Sequence, residues 1–112
     1  MAKTIPFTVD DEKYVLEYTL DSAARMEDEG FNPSDLDDIV RKPVSVVLRL
    51  VYGAFTAHHP DITKDKVVEI FSKLANKSEL IGILAQMYQE TVTVLFDEEE
   101  DNSKNVKWSV VE

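Results

Sequence analysis

The sequence predicts an α+β domain in which an N-terminal β-hairpin packs on a cluster of four to five helices. Three observations carry that expectation. Ile5, Phe7 and Val9, then Tyr14, Leu16, Tyr18 and Leu20, recur at every second position on either side of Asp10-Asp11-Glu12, the period at which a strand turns one face to a core. From Pro43 to Ala57, the residues Val44, Val46, Val47, Leu48, Leu50, Val51, Tyr52, Ala54 and Phe55 cover nearly every side of a helix, so that helix belongs in the centre of the fold. Beyond it, apolar residues return at three- and four-residue steps, the spacing of helices with one buried face.

Within the hairpin the connecting residues lack Asn-Gly or Asp-Gly, which predicts a longer loop built on a type I turn with the acidic cluster at its solvated tip. Pro6 has no N–H to donate, so the first strand is an edge or Pro6 directs its missing donor outward. Asp21 or Ser22 is the expected cap of a short helix through Ala23, Ala24, Arg25, Met26 and Glu27, and Gly30 stands where a left-handed C-terminal cap would sit. Asn32-Pro33 repeats a helix-start signal, giving a short helix over Ser34 to Val40 before Lys42-Pro43 resets the chain.

The Pro43 to Ala57 helix ends at His58-His59-Pro60-Asp61, and Leu48 and Val51 are expected at full burial within it. Thr63 caps the next helix, with Val67, Ile70, Phe71 and Leu74 on its apolar face, and Ser78 is the expected cap of a longer one reaching about Phe96. The buried stripe of this last helix is Leu80, Ile81, Leu84, Met87, Tyr88, Thr91, Val92 and Leu95. Asp97-Glu98-Glu99-Glu100-Asp101 then ends it, because adjacent carboxylates repel one another and oppose the helix dipole. Past Asn102-Ser103, Val106, Trp108 and Val110 alternate with Lys107 and Ser109, which suits either a third strand beside the hairpin or a tail that orders on a partner. The expected organisation is a single α+β domain over 1–96, followed over 97–112 by an acidic linker and a C-terminal strand or tail.

With 112 residues, 44% of them hydrophobic, one core is expected, and a chain of this size buries roughly two-thirds of its unfolded surface. The absence of cysteine rules out disulfides and thiolate zinc sites and suits a reducing cytoplasm. Acidic residues number 22 against 12 basic ones, a formal charge of −10 that opposes binding to a phosphate backbone and attracts basic partners. The first residues contain no apolar run of signal-peptide type, and the stretch from Pro43 to Ala57, interrupted by Arg49 and Gly53, falls short of the roughly twenty residues a membrane span needs. No nucleic acid and no membrane is therefore expected among the partners.

His58 and His59, adjacent on a helix, point about 100° apart and chelate one metal poorly, so a polar helix end explains them together with Asp61. The acids Asp35, Asp37 and Asp38 lack the glycine and terminal glutamate of a calcium loop, and Arg25, Glu27, Asp28 and Glu29 read as a solvated helix face. No phosphate-binding glycine loop, nucleophile elbow or dinucleotide fingerprint is present. The sequence thus predicts no catalytic, metal or cofactor residue and no enzyme. Its candidate partner-binding residues are Trp108, Val106 and Val110 in the C-terminal segment and Tyr14 and Tyr18 in the hairpin, amphipathic or apolar groups suited to an interface.

The order of a hairpin followed by Tyr18-Thr19-Leu20-Asp21-Ser22-Ala23-Ala24-Arg25-Met26-Glu27-Asp28-Glu29-Gly30-Phe31 resembles a family of small tail-operon proteins of siphophages and prophages of Gram-positive bacteria, the tail assembly chaperone-like group. The resemblance continues through Gly53-Ala54-Phe55, Ala75-Asn76-Lys77, Met87-Tyr88 and Asn105-Val106-Lys107-Trp108. It implies a non-enzymatic role in the cytoplasm of the bacterial host: coating the long, helical, aggregation-prone tape measure protein and recruiting tail-tube subunits. Many such families also make a longer product by frameshifting. The resemblance supplies no catalytic or contact residue to carry over. Two other readings stand beside it, an acidic inhibitor of a basic, nucleic-acid-binding protein, which composition alone allows, and a structural virion connector or completion protein, and a homo-oligomer stays open.

Overall fold

A computed structural model describes residues 3–96 and 108–111. The elements run β1 (Ile5–Val9), β2 (Glu12–Leu16), α1 (Leu20–Asp28), a 3-10 segment (Pro33–Asp38), α2 (Pro43–Thr56), α3 (Lys64–Ser72) and α4 (Lys77–Thr93). This is the α+β architecture that the alternating and helical patterns predict, a two-stranded antiparallel sheet followed by helices.

The hairpin turn differs from its expectation. Val9 pairs with Glu12, so the loop is two residues long, and both of them, Asp10 and Asp11, have positive φ (51° and 68°). That is a type I′ turn, whose twist matches the strands it joins, and aspartate is among the few side chains that tolerate the left-handed region. Asp10 also reaches α3, where its carboxylate accepts from Lys73 Nζ at 2.6 Å. Counting back from the closing pair, hydrogen-bonded and non-bonded pairs alternate, which makes Pro6 and Val15 a non-bonded pair. The missing donor of Pro6 therefore faces outward. On the other edge the free Val15 N–H donates to His59 Nε2 at 3.2 Å.

α1 is capped two to three residues earlier than the Asp21 or Ser22 expected for it. Thr19 is the cap: its hydroxyl accepts from Ser22 N–H at 3.0 Å while Ser22 Oγ accepts from Thr19 N–H at 2.9 Å, a closed capping box. At the other end Gly30 (φ +98°) donates to Glu27 O at 2.9 Å and Phe31 N–H to Met26 O at 2.8 Å. This Schellman reversal turns Phe31 back into the core, where its ring meets Tyr88 edge-on at 5.3 Å. Asn32 then caps the 3-10 segment with Pro33 in its first position, in place of the longer Ser34 to Val40 helix.

α2 packs against α1, α3, α4, β2 and the 3-10 segment, and Leu50, Val51, Ala54 and Phe55 are completely buried. Enclosure is incomplete, however. Val44 is 71% exposed and Leu48 half-buried, contrary to the full burial expected of Leu48, because these residues share a stripe with Tyr52 at four-residue spacing that the described elements cover only in part. α3 starts at Thr63 as expected, the hydroxyl accepting from Lys66 N–H at 3.1 Å. α4 starts at Lys77, so Ser78 lies inside it, and the cap position is held by Asn76 in a left-handed conformation (φ 54°). Leu84, Met87 and Tyr88 are buried, whereas Leu95, past the helix end at Thr93, is 62% exposed.

The sheet has two strands among the described residues. Trp108, Val110 and Val111 form no strand and lie exposed, so the expected pairing of this segment with the hairpin is not seen at 108–111. The linker and Val106 lie outside the described residues.

Two measurements check this packing. Leu50→Ala should lower stability by about 2–4 kcal/mol in urea denaturation, whereas Leu48→Ala, partly exposed to solvent, should cost less, about 1–2 kcal/mol. The second concerns His59, whose pKa burial pushes below the 6.5 of a free histidine, with a smaller push from His58. Its Nε2 must be unprotonated to accept from Val15, so this contribution is present above pH 6.5 and is lost as the pH falls through the depressed folded value. Urea midpoints at about pH 7.5 and about pH 5 should differ more in the wild type than in His59→Gln, which keeps a neutral acceptor.

Candidate binding groove

The partly covered stripe of α2 forms one wall of a groove. α1 supplies the second wall and the start of α3 the third, enclosing a volume of about 350 Å³. Met26, Phe31, Leu48 and Val67 give it an apolar lining, and Arg25, Arg49, Lys64 and Glu29 stand among them.

Local packing explains how the walls approach. Gly53 faces Met26, and a Cβ there would stand 2.9 Å from Met26 Cγ and closer still to the rest of that side chain. Met26 therefore lies across the bare backbone of Gly53, which lets α1 and α2 come together below the groove.

The charged groups are placed by helix ends. Arg25 Nη2 donates to Thr56 O, the last residue of α2, at 3.4 Å. The Arg49 guanidinium lies 3.6 Å from where a Gly30 Cβ would project, beside the C-terminal end of α1. Each thus sits at the negative end of a helix dipole, a favourable position for a cation. Among the described residues neither has a carboxylate within ion-pair distance, although Arg41, the third arginine of the chain, pairs with Asp38 at 3.7 Å. Lys64 Nζ is 5.7 Å from the centre of the Tyr52 ring, within cation–π range.

The residues named from sequence are not brought together here. Tyr14 and Tyr18 belong to the core, at 7% and 2% exposure. Tyr14 packs edge-on against Phe55 at 5.9 Å, and the Tyr18 hydroxyl donates to Leu50 O at 2.6 Å while burial pushes its pKa up. Trp108 and Val110 are exposed. His58 and His59 fasten the hairpin to the end of α2, His58 Nε2 meeting Glu17 Oε1 at 2.6 Å and His59 accepting from Val15. Among the described residues no three His, Asp or Glu stand together as a metal site.

Sequence reasoning missed the groove itself. A sequence signal for it is Arg49, a charge inside the most apolar stretch of the chain.

Fold and groove define a small α+β domain with a hairpin fastened to a central helix and an open, cation-bearing cleft beside it. The chain belongs to the DUF5055 family, a domain of unknown function, which matches residues 1–111. Neither the curated proteins nor the solved structures compared with it give a match. Among the described residues no helix is long and apolar enough to cross a membrane.

The close approach at Gly53 is open to a direct check. Gly53→Ala must displace Met26 and should cost about 1–3 kcal/mol, whereas Gly82→Ala on α4, with nothing within 4 Å of its Cβ, should be neutral or stabilising by up to about 1 kcal/mol. Thermal denaturation of the two variants separates them.

Proposed function

We propose that this protein is a non-enzymatic chaperone or adaptor of phage tail assembly, acting in the cytoplasm of the host bacterium, that holds a segment of the tape measure protein and, secondarily, of tail-tube subunits. The observation that carries this reading is the groove: an apolar-lined cleft of about 350 Å³ beside an incompletely covered central helix. Clefts of this size accept apolar side chains, and a cleft between helices suits a row of anchors from an amphipathic segment. The resemblance to tail assembly chaperones, which runs from the hairpin to Trp108, supplies the identity of the partner. Exposed Trp108, Val110 and Val111 add apolar surface at the other end of the chain.

Co-expression with the long helical protein of the same tail operon tests the reading. The wild type should co-purify with it, and Leu48→Glu, which places a charge on the half-buried groove wall, should reduce capture at least about tenfold while far-UV circular dichroism stays unchanged. Capture that survives Leu48→Glu would remove the groove from the proposal. Retention of the protein in finished particles would replace a chaperone with a structural subunit.

A further inference from the structure

We propose that the groove selects an acidic amphipathic helix, one that sets an apolar anchor flanked by carboxylates against the groove's arginines. The inference rests on the groove being the docking surface, and it adds the chemistry of the segment that fits.

Shape argues for an elongated occupant. The α2 residues that line the groove run from Ser45 to Thr56, about 16 Å at 1.5 Å per residue. The groove runs along this length of α2, bounded by α1 and the start of α3. A compact small molecule would leave most of that length empty. A helix lying over the groove fills it with one edge.

Charge argues for carboxylates. The chain carries −10 overall, yet the charged side chains lining the groove are Arg25, Arg49 and Lys64 against Glu29. Two of the three arginines of the chain are here, and these two lack a carboxylate partner among the described residues. Arg25 engages one backbone carbonyl at 3.4 Å, leaving most of its five donors for the paired oxygens that a guanidinium fork fits best. The summed charge of the groove's lining is thus opposite in sign to that of the whole molecule.

The positions of the two arginines set where the carboxylates fall. Arg25 reaches the C-terminal end of α2 and Arg49 lies beside the C-terminal end of α1. A docked helix that carries carboxylates on either side of a leucine, methionine or phenylalanine offers its acids to these guanidinium groups while the apolar residue rests among Leu48, Met26 and Val67.

The test uses the full chain and three fluorescent helical peptides of one length: one with Glu on either side of a central Leu on the same face, one with Lys in place of Glu, and one with Ala in place of Leu. Anisotropy titrations at fixed ionic strength should give the Glu–Leu–Glu peptide an affinity at least about tenfold above either of the others. The Arg25→Glu/Arg49→Glu double variant, checked for an unchanged urea midpoint, should reverse the preference toward the Lys peptide. Equal or tighter binding of the Lys peptide to the wild type, no reversal in a folded double variant, or no binding of the acidic peptide at millimolar concentration would each overturn the inference. Should the tape measure protein be captured while the peptides show no charge preference, the inference falls and the proposed function stands. Should the acidic peptide bind while no tail protein is captured, the reverse holds.

Discussion

Everything in this fold depends on covering the apolar face of α2. A two-stranded sheet is marginal in water by itself, and α1 and α3 are too short to persist as isolated helices. Each becomes stable by resting on Leu50, Val51, Ala54 and Phe55 or on a neighbour that does. Polar bonds then fix the register: Glu17 N–H donates to Ala54 O at 3.0 Å, the Tyr18 hydroxyl to Leu50 O, and Thr91 Oγ1 to Tyr18 O at 3.3 Å. These bonds join the hairpin, α2 and α4, three pieces distant in sequence, around the edge-on pair of Tyr18 and Tyr88. Tyr88 has the one buried hydroxyl without a partner among the described residues, and burial pushes its pKa up to about 12. Its ring is placed for packing, between Phe31 and Tyr18.

The elements were legible in the sequence because periodicity reports burial. Tyr14, Leu16 and Tyr18 alternate and are buried, and Val67 and Ile70 sit on the inner face of α3 as their spacing indicates. Boundaries were less legible. Thr19 outcompetes Asp21 for the cap of α1 since its box partner, Ser22, lies three residues on, and the Asp10-Asp11 turn has none of the glycine that usually announces a type I′ loop. Tyr14 and Tyr18 show a further limit: an amphipathic aromatic in a strand has the same appearance whether its hydroxyl meets a partner, a carboxylate or a buried carbonyl. The long-range hydrogen bond that decides it is not encoded by spacing.

The groove was illegible for a different reason. It arises where Gly53 meets Met26 and where α2 runs one stripe wider than its neighbours cover, both properties of how helices are placed against each other. Its two arginines come from different helices and meet only in the folded chain.

The order in which these pieces leave the ribosome gives the central position of α2 a cost during synthesis. The hairpin emerges first, while the residues that cover it, Ala54, Phe55 and His59, follow about forty residues later, several seconds at a rate of about 5–20 residues per second. A hairpin forms in microseconds and reopens as readily, so over that interval Phe7, Tyr14 and Leu16 are repeatedly shown to water with an open strand edge beside them. The outward-facing Pro6 and the aspartates of the turn are the features of the nascent chain that discourage pairing with another copy before its own central helix arrives.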